Sequence, residues 1–192
     1  MASNHFFAML GRMKYITRWG LMRSIRRESL SEHTLDVAFI AHALAVIKNK
    51  RFGGEVNVEK VVLYALYHDA TEIITGDLPT PVKYYNKEIK DSYKQLEAKA
   101  RQRLASLLPD DMRGEFEPYL DHGDAETERI VKAADKLSAL IKCNEEEQMN
   151  NREFSCAKES VLKAIEDMDM PELRVFMDEF LPSYGLSLDE QK

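Results

Sequence analysis

The chain is poor in the residues that punctuate strands and turns. Its 192 residues hold eight glycines and six prolines, where ordinary usage of the two together is roughly 12 %. That scarcity argues against a many-turned β architecture and for long helices. Two cysteines, Cys143 and Cys156, make neither a disulfide framework nor a metal-ligand spacing, so a reducing cytoplasm is the expected setting. No apolar run approaches the ~18 residues of a membrane span. No period-2 run of β-branched residues, internal repeat or low-complexity segment stands out, and 44 % hydrophobic residues exclude a disordered chain. Acid is absent from the first 27 residues, which carry Arg12, Lys14, Arg18, Arg23, Arg26 and Arg27. With a chain total of −6, the remainder therefore holds −12. An acidic body argues against bulk nucleic-acid binding, whereas a basic N-terminus suits a small anionic ligand. Transit peptides share this acid-poor, Arg-rich composition. However, Phe6, Met9/Leu10, Met13 and Ile16 recur at helical spacing, as in a helix docked on its own protein.

What is present reads as helices. At ~150 residues per domain the length predicts one domain over 1–192, and that size buries enough surface to fold without a structural metal. A helix over 31–49, opened by Ser29 or Ser31, carries His33, Val37, Ile40, Leu44 and Ile47 along one face. A second, from Val58 to Ile74, puts Val58, Val61, Ala65, His68 and Glu72 on one stripe with Asp69 beside it, and Gly76, Pro79 and Pro81 stop it. Further helices are predicted over 88–108, 110–121, 126–149, 154–168 and 171–180, the last with Asp169 as cap and Pro171 in its first turn. The expected architecture is an all-α bundle of about seven to nine helices.

Among five histidines, His5 and His122 read as surface residues, and His42, among alanines, as a hydrogen-bonded core residue. His68, Asp69 and Glu72 converge on an otherwise apolar stripe, and ionisable groups there are costly to bury unless they pair or bind a metal. His33 heads the apolar stripe of a neighbouring helix, and Asp135 lies beside Val131, Ala134 and Ser138 on another. The residues alone leave two readings open, hydrogen-bonded core groups or metal ligands.

Taken as strings, Ser31-Glu32-His33, Tyr67-His68-Asp69-Ala70-Thr71-Glu72, Gly76-Asp77-Leu78-Pro79-Thr80-Pro81-Val82-Lys83-Tyr84 and Ala134-Asp135 resemble the HD-domain metallophosphohydrolases. With the Arg18-Trp19 pair ahead of the first histidine, the likeness is to the bacterial 5'-deoxynucleotidases of the YfbR type, and it runs through nearly the whole chain. The resemblance implies an all-helical, metal-dependent phosphomonoesterase, usually dimeric, acting on deoxyribonucleoside 5'-monophosphates. His33, His68, Asp69 and Asp135 would hold one divalent cation, and their mixed nitrogen and oxygen donors suit Co, Mn, Zn, Ni or Fe without choosing among them.

Two carboxylates neutralise a dication, so Arg18, with its planar fork, is expected to supply the attraction for phosphate. Glu72 is expected to act as general base. Asp77 is expected to act on the leaving oxygen or bind the sugar hydroxyl, and Trp19 to wall the sugar or base. With them, His33, Asp69, Leu78, Pro79, Thr80 and Asp135 complete the expected substrate contacts, with no nucleic acid or membrane as partner. A triphosphohydrolase or cyclic-nucleotide phosphodiesterase would use the same ligands. A triphosphate, however, needs several cations, and near the motifs stand mainly Arg18, Arg23 and Lys83. A helical interaction module keeping a structural metal would have no use for Glu72.

Overall fold

The computed structural model describes residues 4–83, 85–121 and 123–192, the Thr80 side chain excepted. His122 and Tyr84 lie outside the described residues. The helices are α1 (Phe6–Leu10), α2 (Leu30–Phe52), α3 (Val58–Tyr67), α4 (Glu72–Thr75), α5 (Thr80–Lys83), α6 (Lys87–Ala105), α7 (Asp110–Leu120), α8 (Ala125–Gln148), α9 (Ser155–Glu166) and α10 (Pro171–Glu179). Seven of them run nine residues or more, in line with the expected bundle. Among the described residues β pairing is confined to one antiparallel bridge, Thr17 with Ser29.

Local chemistry sets the ends. Ser29 caps α2 by accepting from the Glu32 amide at 3.3 Å, and the Glu32 carboxylate accepts from the Ser29 amide at 2.7 Å. This reciprocal cap stabilises the first turn by about 1 kcal/mol and fixes His33 within it. At the other end Gly53 takes φ 66°, the left-handed closure glycine makes without strain. α2 has the length and composition of a membrane span, yet it buries Val37, Ile40, Leu44 and Ile47 against α3, α8 and α10. Alanines at 38, 41, 45, 65, 133 and 134, all buried, keep side-chain bulk off these contact faces. His42 is exposed on the opposite face rather than in the core, because the inward positions beside it are Ala41 and Ala45.

A second apolar cluster joins Phe6, Ala70, Leu104, Leu108 and Leu120, with Tyr67 and Phe116 against it. It docks the N-terminal segment on α6 and α7 through edge-on rings such as Phe6–Phe116 at 5.4 Å. The chain leaves the first cluster at Ala65 and enters the second at Ala70, so His68 and Asp69 sit on the seam between them.

Three expectations need correction. The helix foreseen from Val58 to Ile74 ends at Tyr67. His68 Nδ1 engages the Ala65 carbonyl at 2.7 Å, the oxygen an α-helix would offer the Asp69 amide. Bonds of three-residue span follow, Ala70 to Tyr67 and Glu72 to Asp69, both at 3.0 Å, and Glu72 starts α4. The N-terminal helix is also shorter than its pattern, passing through a 3₁₀ turn (Gly11–Tyr15) into extended chain at Ile16. Lastly, Met170 and not Asp169 precedes α10; Asp169 takes φ 45° and pairs with Arg174.

Candidate active site

α2, the α3–α4 turn and α8 bring four predicted residues together. His33, fully buried, has Nδ1 3.1 Å from Ser138 Oγ on α8. His68 donates from Nδ1 to the Ala65 carbonyl. With the outer nitrogens engaged, both Nε2 atoms turn inward, and neither makes a hydrogen bond. Asp69 Oδ2 stands 3.5 Å from His33 Nε2 and 3.2 Å from His68 Nε2, and Asp135 Oδ1 3.3 Å from His33 Nε2. Ligand atoms of His33, His68 and Asp135 lie within 4.8 Å of one another.

The electrostatics of this group demand positive charge. Burial works against ionisation of Asp69 and Asp135, yet the facing imidazoles hold both carboxyls below their usual range. Burial likewise opposes a charged His68, but Asp69 pushes it up to about 9. His33 also moves up, against burial and Arg18, through its contacts with Asp135 and Asp69. A divalent cation meets the same demand while leaving both imidazoles neutral, and buried, unpartnered Nε2 atoms are what metal-binding histidines present when Nδ1 is held by an outer partner. The residues fit a metal of the mixed N/O class.

Around them stand three charged groups. Glu72, 5 % exposed, accepts from Lys83 Nζ at 2.8 Å through Oε1, while Oε2 is buried without a hydrogen bond. Burial and Asp69 push its carboxyl up to about 7, against the pull of Lys83. Arg18 arrives on the extended segment stitched to the start of α2. Its amide donates to the Glu28 carbonyl at 3.0 Å, and the Leu30 amide to the Ile16 carbonyl at 2.9 Å. Its Nη2 lies 3.9 Å from Asp135 Oδ1. Burial disfavours its charge, but Glu28, Asp135, Asp69 and Asp77 more than offset that.

The sequence matches the family described as 5'-deoxynucleotidase YfbR-like over residues 5–184. The chain belongs to the YfbR-like 5'-deoxynucleotidase family. Among its relatives, a 5'-deoxynucleotidase of Vibrio atlanticus (strain LGP32) is 52 % identical, with 99 % of each chain covered. A 5'-deoxynucleotidase of Klebsiella pneumoniae (strain 342) is 51 % identical, covering 99 % of this chain and 96 % of the relative. Among solved structures, an HD-domain phosphohydrolase from Listeria innocua superposes with TM-score 0.83 at 24 % identity, covering 100 % of this chain and 93 % of that one. A cyanophage S-2L HD phosphohydrolase, solved bound to dA and one catalytic Zn2+ ion, gives 0.65 at 19 % identity, covering 93 % and 95 %. The all-helical HD phosphohydrolase fold is therefore shared.

Within this YfbR-like site, the remaining predicted residues divide. Asp77, half-buried after Gly76 at φ 75°, bears electrostatically on both Arg18 and Glu72. Leu78 and Pro79 follow it, half-buried, and Thr80 opens α5. Arg23 stays at the surface, paired with Glu153 at 2.9 Å. Trp19 is not on a helix; it takes φ 60° in the loop before α2, its ring edge-on to Phe154 at 5.3 Å. Sequence reasoning missed Glu28, whose Oε2 accepts from Arg18 Nη1 at 2.9 Å and Trp19 Nε1 at 3.1 Å. Its signal was present: Glu28 is the first acid of the chain. Ser138, noted only as a neighbour of Asp135, is the outer partner of His33.

Proposed function

We propose that this chain is a metal-dependent 5'-deoxynucleotidase, hydrolysing deoxyribonucleoside 5'-monophosphates to deoxyribonucleosides and phosphate. The observation carrying this reading is the pair of inward, unpartnered Nε2 atoms facing two carboxylates, with Arg18 bordering them. His33, His68, Asp69 and Asp135 would hold the cation, which supplies Lewis-acid polarisation of the phosphoryl group. Arg18 binds phosphate oxygens, since the two carboxylates cancel the charge of a dication. Glu72 Oε2 takes a proton from the attacking water as its oxygen bonds to phosphorus, the bond to O5' breaks, and a proton passes to O5' to give the nucleoside alcohol. Asp77 serves the departing O5' or the sugar hydroxyl, and Trp19 walls the sugar.

The structure weighs against a triphosphate substrate. Of the three cations counted near the motifs, Arg23 is tied to Glu153 and Lys83 to Glu72. Arg18, tied to Glu28 through Nη1, keeps Nη2 3.9 Å from Asp135 Oδ1, and this one fork suits a single phosphate group. Products formed from dAMP, dATP and cyclic AMP, separated by chromatography with and without EDTA, test the assignment: metal-dependent conversion is expected for dAMP alone, to deoxyadenosine and phosphate.

One divalent ion per chain is expected, because His5 and His42 are exposed and outside the cluster. Elemental analysis of stripped and reloaded protein should give a ratio near one. A ratio near two, with activity following the second ion, would contradict it.

A homodimer in the cytoplasm is part of this proposal. Both thiols are unpaired, consistent with a reducing compartment. Leu35, Phe39 and Val46, at 50, 65 and 37 % exposure, make an outward apolar stripe along α2 with His42 among them. A second copy covering it would remove that surface from water. Analytical ultracentrifugation should find a dimer, and Phe39→Asp should shift it to monomer; a monomeric wild type would refute this.

A further inference from the structure

Glu28 occupies a junction that the proposed roles of Arg18 and Trp19 do not explain. Its backbone carbonyl accepts from the Arg18 amide at 3.0 Å. Its side-chain Oε2 accepts from the Arg18 guanidinium at 2.9 Å and from the Trp19 indole N–H at 3.1 Å. One carboxylate oxygen thus ties two neighbouring side chains with different expected tasks. The carboxylate is itself largely buried, 11 % exposed, so these bonds replace solvent rather than compete with it.

The loop bearing Glu28 is fixed from the other side. Glu146, fully buried on α8, accepts from the Ile25 amide at 2.8 Å and the Arg26 amide at 3.2 Å. Lys142 bridges Glu146 to the Arg26 carbonyl, and Asn151 donates to the Arg23 carbonyl at 2.6 Å. Glu28 is therefore an anchored acceptor. Trp19 sits at φ 60°, a conformation a bulky side chain keeps only when its surroundings impose it. Released from Glu28, Arg18 has Asp135 Oδ1 3.9 Å away as its next carboxylate. Pairing there would draw it from phosphate onto a metal-ligating residue.

We propose that Glu28 is a positioning residue, holding Arg18 off Asp135 and Trp19 at a fixed angle, so that one acidic side chain sets both phosphate affinity and the preference for 2'-deoxyribose. The inference rests on the 5'-deoxynucleotidase reading above. Glu28 touches no reacting atom in this scheme; it acts through its two neighbours.

Glu28→Gln in the full chain tests it, because the amide carries no charge: its oxygen can still face both donors, but each bond loses its charge assistance and the NH2 group is repelled by them in the other rotamer. Trp19 is the one tryptophan in the chain, so intrinsic fluorescence reports on it alone. Acrylamide quenching should rise in the substrate-free variant. KM for dAMP should rise about 10-fold or more with a smaller fall in kcat, and the dAMP to AMP ratio of kcat/KM should fall about 10-fold. Trp19→Phe keeps a ring but no N–H donor and leaves the Glu28–Arg18 pair intact, which preserves the test if the Gln variant folds poorly. It should lose discrimination as Glu28→Gln does while keeping more of the dAMP affinity. The double variant should lose little more discrimination than either single one. Wild-type KM and dAMP preference in Glu28→Gln would overturn the proposal, whatever the fluorescence does, as would undiminished discrimination in Trp19→Phe. Failure of the functional reading is a separate result, namely wild type that releases no phosphate from dAMP with any first-row ion. Quenching measured without substrate would then still decide whether Glu28 holds Trp19.

Discussion

Replacing Glu72 by alanine should slow phosphate release from dAMP by about 10²-fold or more while metal content stays near that of wild type. One of its oxygens is spent on Lys83 at 2.8 Å; the other is buried and makes no hydrogen bond. A carboxylate with a free, desolvated oxygen, pushed up to about 7, is poised to accept a proton near neutral pH. Glu72→Gln refines the test. Its amide oxygen can keep the bond to Lys83, so a merely structural Glu72 would tolerate it, whereas a proton acceptor would not. His68→Ala should behave differently. It removes one Nε2 and also the Nδ1 contact that replaces a helical bond at Ala65, so metal and activity should be lost together. Turnover near the wild-type rate in metal-replete Glu72→Ala would exclude the general-base role.

That buried ionisable groups meet here was partly legible in the residues, because burying them has few solutions; that four of them would hold a metal followed only from the family resemblance. His33 heading an apolar stripe and Asp135 beside Val131 and Ala134 had to pair or ligate, and they meet at 3.3 Å. What pattern could not supply was the path of the chain between helices. The apolar spacing of Val58 to Glu72 continues as if one helix ran through, yet the imidazole of His68 captures a backbone carbonyl and tightens the turn. Periodicity counts apolar positions and is blind to such side-chain competition for the backbone. The segment after Tyr15 failed similarly. Its helical spacing is overridden by backbone bonds from Arg18 to Glu28 and from Leu30 to Ile16, partners ten or more residues away. The roles of Glu28 and Ser138 as outer partners escaped notice because such a partner is defined by what it touches; the first acid of the chain and a serine beside Asp135 were visible, their contacts were not.

Replacing Arg18 by alanine should lower kcat/KM for every good substrate by about 10²- to 10³-fold, the cost typical of losing a preorganised charged donor at a developing oxyanion. Lys136 Nζ also approaches the cluster, 3.6 Å from Asp135 Oδ2, but it is a single ammonium, and the planar fork of Arg18 is the group that can clamp two phosphate oxygens. Arg18→Lys should restore little, since an ammonium cannot span Glu28 and two phosphate oxygens as a planar fork does. Trp19 should govern a different quantity. Its indole N–H is committed to Glu28, its ring packs against Phe154 and the Arg18 guanidinium stands over it at 5.8 Å, so what it has left to offer the sugar is apolar ring surface and no donor. A ribose 2'-hydroxyl meeting that surface is excluded by contact and by loss of water, not rewarded by a bond. AMP should therefore be poor. 3'-dAMP should be poor as well, because its phosphate leaves from the wrong carbon to reach the cluster and Arg18 together. dAMP, dGMP, dCMP and TMP should fall within about 10-fold of one another, since no base-reading residue is identified in the site. Trp19→Ala should relax discrimination between dAMP and AMP while Arg18→Ala leaves that ratio nearly unchanged. Values of kcat/KM for this panel, at one metal concentration, check all of these. Equal rates on AMP and dAMP in the wild type would remove the deoxyribose preference and leave a general HD-type phosphatase.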